Sequence, residues 1–145
     1  MVFELLAVLC AGLFAGAAIY ITFVEHPARL SCGTALAATE FGPSYRRATV
    51  MQAPLALLGL VAAVIAFFRG GGPWVLFGGL ALGAVAPFTL IVILPTNNRL
   101  LDPGLARESP EAAALLRRWG RLHAVRSVAS ALAFGVLAAH LAARQ

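Results

Sequence analysis

Trp74-Val75-Leu76-Phe77-Gly78-Gly79-Leu80-Ala81-Leu82-Gly83-Ala84-Val85-Ala86-Pro87-Phe88-Thr89-Leu90-Ile91-Val92-Ile93-Leu94 is a run of 21 residues without an Arg, Lys, Asp or Glu. As a helix it measures about 31 Å at 1.5 Å per residue, which matches the hydrocarbon thickness of a bilayer. The uncharged stretch around it extends from 70 to 98, more than a span needs, so the span is placed at 74–94. Three further uncharged stretches, 5–24, 48–68 and 127–143, meet the same length requirement. The last of these places a span at about 125–143. With 61% hydrophobic and 12% charged residues and a mean hydropathy of +0.88, a chain of 145 residues has too little polar surface to cover a soluble core. The expected fold is all-α: one integral membrane domain over 1–145, a four-helix bundle with a cytoplasmic helical extension before the fourth transmembrane helix.

The first apolar run carries Glu4 where a signal peptide has basic residues, and it is longer than the usual apolar core of a signal peptide, about 7–15 residues. A retained helix is therefore expected. All eleven basic residues are Arg. Arg29, Arg46 and Arg47 follow the first span. Arg99, Arg107, Arg117, Arg118 and Arg121 follow the third, with Arg126 at the membrane edge. Only Arg69 and Arg144 lie on the other side, a bias of nine to two. By the positive-inside rule the two long loops are cytoplasmic and both termini outside, in a bacterial inner membrane. The high pI of about 10.6 thus reflects loop charges of a membrane protein and implies no nucleic-acid partner. Cys10 and Cys32 lie on the order of 30 Å apart along a helix, beyond disulfide reach, and have no metal-type spacing.

Gly12 and Gly16, and again Gly79 and Gly83, are small residues four apart that let helices approach closely in lipid. Packing within the bundle is the preferred reading, with a homo-oligomer as the alternative. Pro27 should end the first helix, because the residue before a proline, His26, is pushed out of the helical region. A loop over 28–42 follows, and Pro43 then opens the second helix. Pro54 and Pro87 lie inside spans, where ordinary tolerance of proline in membrane helices is preferred over a kink that opens a cavity. Gly70-Gly71-Gly72-Pro73 reads as a hairpin turn, not a phosphate loop. Ser109 caps a helix with Pro110 at its first position and Glu111 in its first turn. Leu115, Leu116, Trp119 and Leu122 form its apolar stripe, and it can run unbroken through Gly120 into the fourth span.

Counting spans brings the ends of helices one and three and the starts of helices two and four to one membrane face. Glu25, His26, Tyr45, Gln52, Asn97, His123 and Arg126 then share one depth. Trp119, His123 and Arg126 at i, i+4 and i+7 form one helical face. Ionisable groups at a membrane boundary turn toward a bundle interior or a wet pocket, although Arg126 could equally snorkel and Trp119 belong to an aromatic belt. Three chemistries fit the set. A His could act as general base with Arg126 or Asn97 holding an oxyanion. Glu25, His26 and His123 could bind a metal, although neighbours on a helix diverge by about 100° and preform such a site poorly. The cluster could instead clamp an acidic lipid headgroup without catalysis. A Ser-His-Asp triad through Ser127 or Ser130 lacks an acid partner.

Four segments carry a family resemblance: Phe23-Val24-Glu25-His26-Pro27, Met51-Gln52-Ala53-Pro54-Leu55, Pro87-Phe88-Thr89 with Pro95-Thr96-Asn97, and Arg118-Trp119-Gly120-Arg121-Leu122-His123-Ala124-Val125-Arg126. With these the chain resembles the anthrone oxygenase-like family of small integral membrane proteins, whose fungal members convert polyketide anthrones to anthraquinones with molecular oxygen. The resemblance implies a monooxygenase-type oxidoreductase for an anthrone-like or other aromatic or quinol substrate. It would need a base, an oxyanion partner and a flat apolar pocket, with no obligatory metal or other cofactor. On that footing His123 or His26 is the base, Arg126 and Asn97 hold the oxyanion, Glu25 orients a His, and Trp119 stacks on the substrate beside Gln52 and Tyr45. Expected partners are membrane lipids and an apolar aromatic small molecule. The competing class is a non-catalytic membrane module that binds a lipid, quinone or metal ion with the same cluster.

Overall fold

The computed structural model describes residues 1–144. Four long helices, α1 (Val2–Ser31), α2 (Thr34–Gly71), α3 (Pro73–Leu101) and α4 (Pro110–Ala142), are each apolar and long enough to cross a membrane. No strand occurs among the described residues. The chain is an all-α membrane bundle. Consecutive helices pack side by side and α4 closes back on α1, so the four stand in a ring with little contact across either diagonal. At 29 to 38 residues the helices reach about 43–57 Å. They outlast the hydrocarbon core, so their polar ends project beyond it.

Short connections hold the ring together. Gly33 (φ 93°) turns α1 into α2, and Gly70 and Gly72 (φ 84° and 78°) turn α2 into α3 with Pro73 at its start. Positive φ at these points is the region that favours glycine. Ser109 caps α4 by accepting from the Ala112 N–H, and the helix runs unbroken through Gly120, as the sequence predicts. The 102–109 loop is held down by Arg107, whose Nη1 donates to the carbonyls of Ala38 (3.0 Å) and Leu100 (2.8 Å), and by buried Leu105. At its start the Gly104 N–H and then Arg99 hold the Asp102 carboxyl below its ordinary value. At the opposite end buried Glu4 pairs with Arg144 at 2.9 Å.

Three sequence expectations are corrected here. Pro27 does not end α1, and His26 is helical (φ −67°, ψ −45°). The helix instead widens into a π turn over Ile21–Glu25, in which the His26 N–H donates to the carbonyl five residues back, at Ile21. The same device precedes Pro95: a π turn over Thr89–Ile93, with the Leu94 N–H on the Thr89 carbonyl. A proline ring collides with the carbonyl four residues before it in α geometry, and one wider turn relieves the collision without ending the helix. The expected loop over 28–42 is also helical apart from Cys32 and Gly33, so Pro43 lies inside α2 rather than at its start. Its small residues are there for packing: Ala37, Ala38 and Phe41 are fully buried against Leu100, Leu105 and Leu116.

Small residues set the helix spacing. A side chain on Gly83 would begin 2.8 Å from Leu60 of α2, and one on Gly78 would begin 2.6 Å from Leu137 of α4. Gly12 faces Phe134, whereas Gly16 has open space around it. Cys10 is buried, Cys32 is exposed, and both are free thiols.

Candidate functional site

Two apolar clusters form the interior. One, around Ala11, Phe14, Ala63, Leu82 and Leu137, fills the half nearer the termini. The other, around Phe41, Ile93, Leu100, Leu116 and Trp119, fills the loop end. A polar layer lies between them on every helix: Thr22 on α1, Gln52 on α2, Thr89 on α3, and His123, Arg126, Ser127 and Ser130 on α4. Polar groups this deep in an apolar bundle are retained only with partners or a function. Here Thr22, His123, Ser127 and Ser130 are joined by hydrogen bonds, and Gln52 accepts one from Arg126.

Trp119 organises the layer. Its indole stacks on His123 (centroids 4.7 Å apart, 25° between planes), meets His26 at 5.1 Å and takes the edge of Phe41 at 5.3 Å. The Arg29 guanidinium sits 5.8 Å from its centroid. With four side chains against it and 6% exposure, Trp119 is held rigidly as part of the cavity wall. His26 and His123 thus converge on one indole. Only His123 lines the cavity described next; His26 is pressed onto α4 at Gly120.

The cavity occupies about 310 Å³ among all four helices, at the lower end of the range for small-molecule pockets. His123, Arg126, Arg29, Gln52, Ser44, Tyr45, Thr49 and Thr89 supply polar groups to a wall whose other residues are apolar, Phe14, Leu60 and Val85 among them. Leu57 of α2 and Leu90 of α3 also line it, yet are 62% and 63% exposed on the outer surface. The cavity therefore opens sideways between α2 and α3, toward lipid. Its wall follows the segments just beyond Pro54 on α2 and around Pro87 on α3. Neither proline lines the cavity itself, and α2 runs through Pro54 without a break.

Arg126 reaches into this space. Its Nη2 donates to Gln52 Oε1, and its guanidinium lies 5.3 Å from the Phe14 ring. Among the described residues it has no carboxylate partner. A cation without a counter-ion in an apolar cavity attracts a negatively charged or strongly polarised oxygen. Tyr45 stacks on Phe41 at 5.8 Å, beside the same space.

Other expected residues lie elsewhere. The Glu25 carboxylate does not orient a histidine: Arg29 donates to it, and so does Ser44 Oγ, at 2.5 Å. Arg29 is 5% exposed and also pairs through Nε with Glu40 at 2.9 Å. Asn97 is buried but does not line the cavity, and neither its amide nitrogen nor its oxygen has a partner. Glu25, His26 and His123 do not form a ligand set: no group of three His, Cys, Asp or Glu among the described residues is placed to hold a metal ion. Sequence reasoning missed Arg29, Ser44, Thr22 and the role of Ser127. Thr22 and Ser44 look like filler in an apolar run and a loop; only the spacing of Arg29, four residues after Glu25, signals its pairing.

A family model described as anthrone oxygenase matches residues 41–136, which include α3 and most of α2 and α4. No curated protein matches the chain, and no solved structure does.

Proposed function

The chain belongs to the anthrone oxygenase family, and on that premise we propose that it oxidises a flat, apolar aromatic or quinol-type substrate with molecular oxygen inside the cavity. The observation that carries the reading is the placement of His123 and Arg126 on one wall of a hollow that opens toward lipid. His123 takes a proton from an acidic C–H, the methylene of an anthrone being the type case, and the electron pair stays on the ring system. Arg126, held by Gln52, faces the oxygen on which that charge accumulates. The electron-rich anion adds oxygen at carbon and takes up a proton to give a hydroperoxide. Loss of water leaves a ketone. One CH2 group and one O2 thus become one C=O group and one H2O, with the substrate supplying every electron.

Each feature of the cavity serves such a step. The apolar wall excludes water, which strengthens the Arg126 charge at the developing oxyanion. The opening between Leu57 and Leu90 admits a substrate dissolved in the bilayer. Glu25 does not line the cavity itself; it holds the lining residues Arg29 and Ser44 in place beside Trp119 rather than taking part in proton transfer.

The test is oxygen uptake by the full chain in detergent or nanodiscs with an anthrone as probe. Wild type should consume one O2 per quinone formed. His123→Ala should lose about 10²- to 10⁴-fold in rate, the range for a positioned general base, while remaining folded by circular dichroism. Unchanged turnover in His123→Ala rejects the assignment. Absence of uptake in wild type, with lipid alone retained through purification, favours a non-catalytic headgroup-binding module.

A further inference from the structure

Thr22 on α1 and His123 on α4 are 101 positions apart in sequence, and Thr22 Oγ1 lies 3.1 Å from His123 Nδ1. The same oxygen lies 2.7 Å from Ser127 Oγ. Ser127 Oγ in turn lies 2.9 Å from the carbonyl oxygen of Ala18 and 3.2 Å from that of His123. Two hydroxyls, one ring nitrogen and two carbonyls form a single chain in which each hydroxyl has one proton to give.

We propose that Thr22 and Ser127 are positioning residues that fix His123 as the tautomer protonated at Nδ1, which leaves the lone pair on Nε2 as the base. This rests on the reading of His123 as base. The number of available protons sets the direction of each bond. Carbonyl oxygens can only accept, so the Ser127 hydrogen goes to Ala18 or to His123 of α4. The short contact between the two hydroxyls must then contain the Thr22 hydrogen. With that hydrogen committed, Thr22 can only accept from the ring, so Nδ1 carries N–H. Three hydrogen bonds form in one direction: Nδ1–H to Thr22, Thr22 to Ser127, Ser127 to a carbonyl.

The opposite tautomer reverses the chain. Thr22 must donate to Nδ1 and Ser127 must donate to Thr22, so neither carbonyl receives the Ser127 hydrogen. One hydrogen bond is lost, equivalent to about a two- to tenfold bias in the tautomer ratio. Free histidine leans the other way, so the bias is imposed by the protein. Nε2 has no hydrogen-bond partner among the described residues, and the ring that carries it lines the cavity. When Nε2 takes a proton from the substrate, Nδ1–H is already held by Thr22, and no group has to turn. This is the role an orienting partner plays for a catalytic imidazole.

The readout is ¹⁵N NMR of the full-length protein labelled at histidine, in nanodiscs without substrate, with His123→Gln identifying the His123 signals. Wild type should show a protonated Nδ1 and an unprotonated Nε2. Thr22→Val keeps the shape but cannot hydrogen-bond; it should erase the bias and lower kcat on the anthrone probe about tenfold with KM unchanged. Thr22→Ser should restore both. Should Thr22→Val fail to fold, Ser127→Ala frees Thr22 to donate to the ring and should likewise shift the tautomer toward Nε2–H. A wild-type ring protonated at Nε2 overturns the proposal, as does Thr22→Val with wild-type signals and kcat. Because the tautomer is read without substrate, this result is independent of whether anthrones are turned over.

Discussion

A side chain on Gly120 would begin 2.6 Å from His26 Nε2, so the imidazole of α1 occupies the notch that glycine leaves in α4. His26 in turn packs 5.1 Å from Trp119, the wall of the cavity. Gly120→Ala should therefore force His26 off α4 despite the better helix propensity of alanine. Overpacking of this kind lowers stability by about 1–3 kcal/mol. Thermal unfolding in detergent measures it; an unchanged or raised Tm would mean that the notch is not filled as described.

Arg29 and Arg126 both line the cavity, but Arg29 is paired with Glu25 and Glu40, whereas Arg126 has Gln52 and the Phe14 ring as its partners among the described residues. Arg126→Met should leave the fold intact and reduce kcat/KM for the anthrone probe about 10²- to 10³-fold, the range for loss of an oxyanion donor. Arg126→Lys should recover only part, since a point charge does not reproduce the planar fork. Equal rates for Met and Arg at this position would remove the oxyanion role.

Glu25 is bonded to Arg29 and Ser44, away from both histidines. Glu25→Gln should lower stability by about 1 kcal/mol: charge-assisted bonds are worth somewhat more, but the carboxylate is 29% exposed and partly screened. The kcat of the variant should stay within about twofold of wild type. Urea unfolding paired with turnover separates the cases, and a hundredfold fall in kcat at wild-type stability would return Glu25 to the catalytic machinery.

Leu90 lines the cavity while 63% exposed to the lipid side. Leu90→Trp should narrow the mouth between α2 and α3 and raise KM for a bilayer-dissolved substrate several-fold, with stability nearly unchanged because the residue supports no core. Leu57→Trp on the facing helix should act alike. If both variants keep the wild-type KM, the substrate enters by another route.

The apolar runs, the turn at Gly70-Gly71-Gly72-Pro73, the Ser109 cap and the unbroken α4 are all legible in the sequence, because each depends on neighbours within a turn or two. The same is true of the Trp119, His123 and Arg126 face. Pro27 was misleading for a related reason: the local rule for the residue before proline assumes α geometry, and a bundle that packs the helix beyond Pro27 favours a π turn instead. The segment at 28–42 looks like a loop from its small residues, until Leu100, Leu105 and Leu116 are seen to pack on them.

What the sequence alone determined is the number of membrane helices and the depth of the polar groups, since transfer free energy into lipid is nearly additive along a chain. Only the tertiary structure decided which of these groups meet. It gave His123 rather than His26 to the cavity, tied Glu25 to Arg29, and set Thr22 against His123 from 101 positions away. Such pairings depend on the rotation of each helix about its axis. A single wide turn or a missing Cβ changes that rotation while leaving the hydropathy pattern unchanged.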